Sequence, residues 1–240
     1  IAVAEALGAR LGLRVPDMPW HTERDRICEI AAALGVMTAT LGKLARDLAL
    51  LAQSEVGEAA EPSAPGRGGS STMPQKRNPV GASIALAASI RVPGLVATML
   101  HAAVQEHERG LGNWPAEWET MPQIAMLAGG ALRAMAAVAE GLDVDKARMA
   151  ANLDITHGLI FAEAVQMALA PTLGRDAAHT LVASACRRAV EKRVHLRDIL
   201  EREATIGRVL DRKALDRLFD PANYIGESRA FIERALAHHR

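Results

Sequence analysis

The stretch ICEIAAALGVMTATLGKLARDLALL, residues 27 to 51, carries the clearest periodic signal in the chain. Ile27, Leu34, Leu41 and Leu48 recur every seven residues, and so do Ile30, Met37, Leu44 and Leu51. The two series interleave in a 3,4 spacing, the pattern of an apolar seam on a helix packed along other long helices. A helix from Glu23 to about Glu58 would be roughly 50 Å long at 1.5 Å per residue. Thr22 is placed to cap its start. Thr38 and Thr40 fit mid-helix by bonding back to the preceding turn.

Outward from this seam, the chain reads as helix nearly throughout. Alanine and leucine dominate, aromatics make up only 3%, and no sustained apolar/polar alternation marks a strand. Residues 1–13 are helical up to a connector, RVPDMPWHT, that Pro16 and Pro19 restrict. Further long helices are expected over about 82–108, where Pro93 must kink or divide the helix, and over about 116–140, with Pro115 in the first turn. GLDVD, residues 141 to 145, breaks the chain. Shorter helices then follow at about 146–151, 155–171, 174–193, 196–203, 211–219 and 227–238. The change from long to short helices divides the chain into a central bundle, 1–143, and a smaller helical domain, 144–240. The fold class is all-α.

With 28 acidic and 28 basic residues, nothing electrostatic favours nucleic acid or an anionic membrane as partner. A local basic pocket for a small anion is compatible with that balance. No run reads as long and apolar enough to span a bilayer. Cys28 and Cys186 lie far apart without metal-ligand spacing, which fits a reducing, cytoplasmic setting and argues against disulfides. No His, Asp and Glu residues recur at metal spacing, so no metal is expected. The chain opens with IAVAEALGARLGL, as if inside a helix, and reads as a piece of a longer chain.

The densest chemistry lies in GGSSTMPQKRNP, residues 68 to 79. Gly68 and Gly69 allow backbone amides to turn toward an anion. Ser70 and Ser71 bring hydroxyls, Lys76 and Arg77 positive charge, and Asn78 a donor and an acceptor. The N-terminus of the following helix is expected to face the same cluster and favour an anion. The order differs from a phosphate-binding loop, so the segment reads as a carboxylate-binding active-site loop. A serine here acts as acid or base only if its pKa is lowered, and Lys76 and backbone amides are the groups to do so. A Ser-His-Asp nucleophile is the weaker alternative, since no strand–elbow–helix motif is present.

GSSTMPQKRNP resembles the signature of the fumarase/aspartase superfamily, over eleven contiguous positions from Gly69 to Pro79. The resemblance implies long-helix bundles assembled as homotetramers, with three subunits contributing to each active site. It also implies chemistry beta to a carboxylate through an aci-carboxylate intermediate, with no cofactor. By matching position, Ser70 is similar to the catalytic serine, and Lys76 and Asn78 to residues holding the substrate carboxylate and its developing charge. Ser71, Thr72, Met73 and Arg77 would line the substrate.

PWHTERDR (19–26) and QEHERGLGNWPAEWETMPQI (105–124) resemble the cycloisomerase branch of the superfamily, which closes a lactone from a tricarboxylate substrate. KRNPVGAS has Ser83 where adenylosuccinate lyases carry a glutamate. The alternatives are an adenylosuccinate lyase-like C–N lyase and a catalytically idle scaffold. The resemblance covers essentially this whole chain but only about the C-terminal half of such proteins.

His107 and Arg109, beside Glu106, are candidate ligands for a substrate carboxylate. Arg24 is either a bidentate carboxylate ligand or half of an ordinary ion pair. Trp114 and Trp118 share a helix face and read as interface packing. His21 stands with Arg24 at the start of the long helix; His157 reads as a structural histidine, His101 and His179 as packing or surface residues, and His238 and His239 lie at the tail.

Overall fold

A computed structural model describes residues 1–18, 21–62, 68–69, 72–73 and 76–238. The chain forms two compact units, Ile1–Asp145 and Lys146–Arg240.

Unit one opens with α1, Ala2–Leu11, closed by Gly12 in the left-handed conformation (φ 65°). The long helices α2, Asp25–Leu51, α3, Val80–Ala102, and α4, Asn113–Glu140, pack on one another. Small side chains set how closely they approach. Ala31, Ala45, Ala82, Ala85, Ala88 and Ala131 are all buried among Leu41, Val92, Met99, Ile124 and Met135. A Cβ on Gly42 of α2 would sit 2.5 Å from the Cβ of Ser89 on α3, so the crossing tolerates no side chain there.

The structure revises several expectations for this unit. Helix α2 stops at Leu51, about 40 Å from its start. The chain turns back through Gly57 (φ 63°), whose N–H bonds the Gln53 carbonyl. The buried face of α2 is Cys28, Ala31, Thr38, Leu41, Gly42 and Ala45. Leu34, Met37 and Leu48 lie only partly buried, and Ile30 and Leu44 are about half exposed. The helix is therefore rotated so that its small-residue stripe, rather than the full leucine seam, meets α3 and α4. Pro93 does not divide α3, which instead ends at Ala102, before the expected limit. Gln105 stops it there, donating to the Ala102 carbonyl (2.7 Å) and accepting from the Gly110 amide (2.6 Å). A short antiparallel pair, β1, Ala59–Ala60, and β2, Asp143–Val144, joins Ala59 to Val144 and Ala60 to Asp143. Part of GLDVD is thus strand.

Helices α2, α3 and α4 each hold an 18-residue window of mean hydropathy 1.5, 1.6 and 1.2, respectively. By length and composition they are able to cross a membrane, which corrects the expectation that no run reaches that limit.

Unit two contains α5, Lys146–Leu153, a 3-10 turn at Leu159–Phe161, α6, Ala162–Leu173, α7, Arg175–Lys192, α8, Leu196–Glu201, α9, Ala204–Val209, α10, Arg212–Leu218, a second 3-10 turn at Pro221–Asn223, and α11, Ser228–His238. Val165, Leu169, Val182, Leu196, Leu200, Ile206 and Leu215 form its core. His195 caps α8: its Nδ1 accepts from the Arg197 amide (3.1 Å), and its Nε2 lies 3.0 Å from Asp154. Helix α9 was not expected from the sequence. The 155–171 helix begins only at Ala162, because His157 (φ 52°) and Gly158 (φ 78°) turn the chain.

Candidate active site

The glycine-serine segment leaves β1 and returns to the start of α3. Its neck is closed by Gly68 and Asn78. The Asn78 backbone N–H (2.9 Å) and side-chain Nδ2 (3.1 Å) both donate to the Gly68 carbonyl. Gly68 sits at φ 72°, and a Cβ there would come 2.9 Å from the Asn78 carbonyl oxygen. Both the conformation and the close approach require glycine. Within the loop, the Lys76 amide bonds the Met73 carbonyl (3.0 Å). Ser70 and Ser71 lie outside the described residues.

Met73, Lys76, Arg77 and Asn78 line one cavity of about 740 Å³. The same cavity is lined by Gln53 and Ser54 just past the end of α2, Glu61 beyond β1, and Asp143 and Asp145 around β2. Lys76 and Asn78, two positions apart in sequence, thus border the same cavity. Lys76 is exposed and Asn78 half-buried.

Two electrostatic expectations change. The first turn of α3 does not offer its amides to a ligand. The Glu61 carboxylate accepts from Gly81 (2.9 Å) and Ala82 (2.7 Å), so a protein carboxylate already complements the helix N-terminus. Arg77 has its own partners too: it donates to Asp143 at 3.0 Å and to the Glu61 carbonyl.

Arg24, His107 and Arg109 are not in this cavity. Arg24 immediately precedes α2, and Cys28, one turn on, donates to the Met99 carbonyl near the end of α3. His107 and Arg109 follow that same end. Since α3 spans 23 residues, these groups stand about 30 Å along the bundle from Lys76 and Asn78. His107 (φ 49°) and Arg109 (φ 53°) both adopt the left-handed conformation, unusual for residues with side chains. Arg109 is exposed, with Glu108 at 3.7 Å.

Arg24 has a carboxylate partner within the chain. Its Nε donates to both oxygens of Glu117 (2.9 and 3.1 Å), and a terminal nitrogen donates as well. Both side chains are buried, at 6% exposure each. The Glu117 bond raises the Arg24 pKa further above its ordinary value, so the guanidinium stays charged despite burial. Trp114 and Trp118 meet edge to face, 5.5 Å between centroids, and Trp118 is mostly exposed.

Glu61, Asp143 and Glu117 escaped the sequence reading. Glu117 had a usable signal, as an acid on the same α4 face as Thr120 and Ile124. Glu61 and Asp143 had none, since their partners lie 20 and 66 residues away.

Comparison with known proteins fits this architecture. Residues 2–94 match the family model described as lyase, and residues 158–235 match that described as adenylosuccinate lyase C-terminus. A 3-carboxy-cis,cis-muconate cycloisomerase from Pseudomonas aeruginosa is 54% identical over 100% of this chain and 52% of its own length. The chain is thus similar to lyases of the fumarase/aspartase type along most of its length. A second 3-carboxy-cis,cis-muconate cycloisomerase, from Bradyrhizobium diazoefficiens, is 50% identical over 98% of the chain and 52% of its own length. The crystal structure of 3-carboxy-cis,cis-muconate lactonizing enzyme from Pseudomonas putida superposes with a TM-score of 0.91 at 51% identity, covering 99% of this chain and 52% of that one. The chain thus spans about half the length of these superfamily members.

Proposed function

We propose that this chain forms part of a cycloisomerase that converts 3-carboxy-cis,cis-muconate reversibly to 4-carboxymuconolactone. The observation that carries the reading is the identity of half or more, along essentially the whole chain, to relatives bearing that name. The gathering of Lys76 and Asn78 in one cavity is consistent with it.

In the forward reaction one substrate carboxylate oxygen adds to a conjugated carbon–carbon double bond. The C–O bond closes the lactone ring, and the electron pair moves onto the neighbouring carboxylate as an aci-acid. Protonation of carbon then completes the addition. Lys76 supplies fixed positive charge where that negative charge develops, the place where preorganised donors lower the barrier most. One Asn78 N–H is committed to Gly68, and the side-chain amide retains a second donor for the substrate. Ser70 delivers the proton to carbon and removes it in reverse. Ser71, Thr72 and Met73 complete the loop's contact with the substrate.

The separation of the candidate residues between two ends of the bundle supports a composite site. Lys76 and Asn78 at one end would meet the His107 and Arg109 end of another subunit in a homotetramer. Exposed apolar side chains on the long helices, among them Val36, Ile90 and Met126, give such an assembly surface to bury. No cofactor enters this chemistry, and the reading takes the protein as cytoplasmic.

The second reading is an adenylosuccinate lyase-like C–N lyase, favoured by the match of residues 158–235 to that family's C-terminus. Ser83 in KRNPVGAS weighs against it. A Ser70→Ala variant of the complete gene product separates both from an inactive scaffold. Lost turnover at unchanged stability supports catalysis by this loop, whereas unchanged turnover removes Ser70 from the mechanism.

A further inference from the structure

Arg77 stands between the two residues assigned the chemistry, Lys76 and Asn78, yet its guanidinium is turned to the protein. One nitrogen donates to Asp143 Oδ2 at 3.0 Å and another to the backbone carbonyl of Glu61. Each acceptor is itself fixed. Asp143 belongs to β2, whose register sets Asp143 opposite Ala60, the residue before Glu61. Glu61 holds the first turn of α3 through Gly81 and Ala82. Lys76 and Asn78 are thus strung between a helix start and a sheet edge that share one clamp.

We infer that Arg77 is a positioning residue, and that Asp143 and Glu61 form the anchor through which it fixes Lys76 and Asn78 at the cavity. A planar guanidinium suits this task, since its fork holds two acceptors in fixed directions. The ion pair is exposed, at 43% and 64%, so its share of global stability is small. Its consequence is local: it sets where Lys76 points. Misplacement of a charge-stabilising group by about 1 Å is enough to cost on the order of a hundredfold in rate.

The kinetic half of this inference rests on the cycloisomerase reading, and the structural half does not. Arg77→Ala, Asp143→Ala and the charge exchange Arg77→Asp/Asp143→Arg are therefore compared in two ways, using the complete gene product. Amide hydrogen exchange at Asn78, Gly81 and Ala82 reports the anchor. Turnover of 3-carboxy-cis,cis-muconate, resolved into kcat and KM, reports its effect.

The expected result is exchange about tenfold faster in both single variants. With it comes a fall in kcat of about tenfold at little-changed KM. The charge exchange should restore a large part of both. The inference is overturned if Asp143→Ala leaves exchange and kcat unchanged while Arg77→Ala raises KM. Arg77 would then bind a substrate carboxylate directly. If the unsubstituted protein does not turn over this substrate, the functional reading falls alone, and the exchange pattern still decides whether Arg77, Asp143 and Glu61 act as an anchor.

Discussion

Asn78 donates twice to a single acceptor, the carbonyl of Gly68, through its backbone N–H at 2.9 Å and its side-chain Nδ2 at 3.1 Å. The segment between residues 68 and 78 is thereby closed at its base by a residue that the proposed mechanism also uses. Asn78→Ala removes the side-chain bond and should cost about 1 kcal/mol. Asn78→Asp sets a carboxylate against a carbonyl and should cost more. Gly68→Ala must hold φ 72° and push against the Asn78 oxygen, a strain of about 1–2 kcal/mol or more. Urea denaturation of the three variants should rank them in that sense.

The buried Arg24–Glu117 pair yields a sharper stability prediction. Glu117→Ala leaves a buried guanidinium without its main partner, and about 3–5 kcal/mol of stability should be lost. Joint replacement by apolar residues of similar volume, Arg24→Met with Glu117→Leu, should recover most of that loss. Because the Glu117 hydrogen bond raises the Arg24 pKa above its already high ordinary value, the guanidinium's contribution is complete at neutral pH and is lost only in strongly alkaline solution. A denaturation series with single and double variants reads the coupling directly.

Close approach of α2 and α3 at Gly42 is equally testable. Gly42→Ala puts a methyl 2.5 Å from Ser89 Cβ and 2.6 Å from its Oγ. Forced separation of the helices should cost about 1–3 kcal/mol. Ser89→Gly removes both offending atoms, so the double variant should be more stable than Gly42→Ala alone. Thermal melts of the four proteins check it.

Thiol reactivity should follow burial. Burial pushes both Cys28 and Cys186 above their ordinary 9.0, with Glu117 adding to the rise at Cys28. The protonated thiols therefore favour the fold at pH values below 9.0. That contribution declines as pH rises toward the elevated values. Iodoacetamide labelling at pH 8 should be slow in the native protein and fast in denaturant. Rapid native labelling would contradict the packing of Cys28 against Met99.

The three long helices were legible because a helix buried on one side must repeat its apolar residues with the helical period. Their rotation was not legible. The 3,4 leucine series weights large side chains, while contact is made where Ala31, Gly42 and Ala45 let backbones approach, leaving Ile30 and Leu44 exposed. The end of α2 was overrun because its stop depends on Gly57 and on β1 pairing with β2, contacts that span more than 80 residues. At the site, residue type and the resemblance of GSSTMPQKRNP to a known signature make Lys76 and Asn78 candidates, and both line the cavity. What surrounds them was hidden for the same reason as β1: Glu61 and Asp143 acquire meaning only from partners brought close by folding. Arg24 was left open between ligand and ion pair, and only the packing of α4 shows that Glu117 reaches it.

The most direct test of the functional claim is an ultraviolet assay of the purified complete gene product with 3-carboxy-cis,cis-muconate, following loss of the conjugated diene, beside a parallel assay with adenylosuccinate. Rapid diene loss is expected, abolished by Lys76→Ala, with no cleavage of adenylosuccinate. An intact diene together with cleaved adenylosuccinate would contradict the claim.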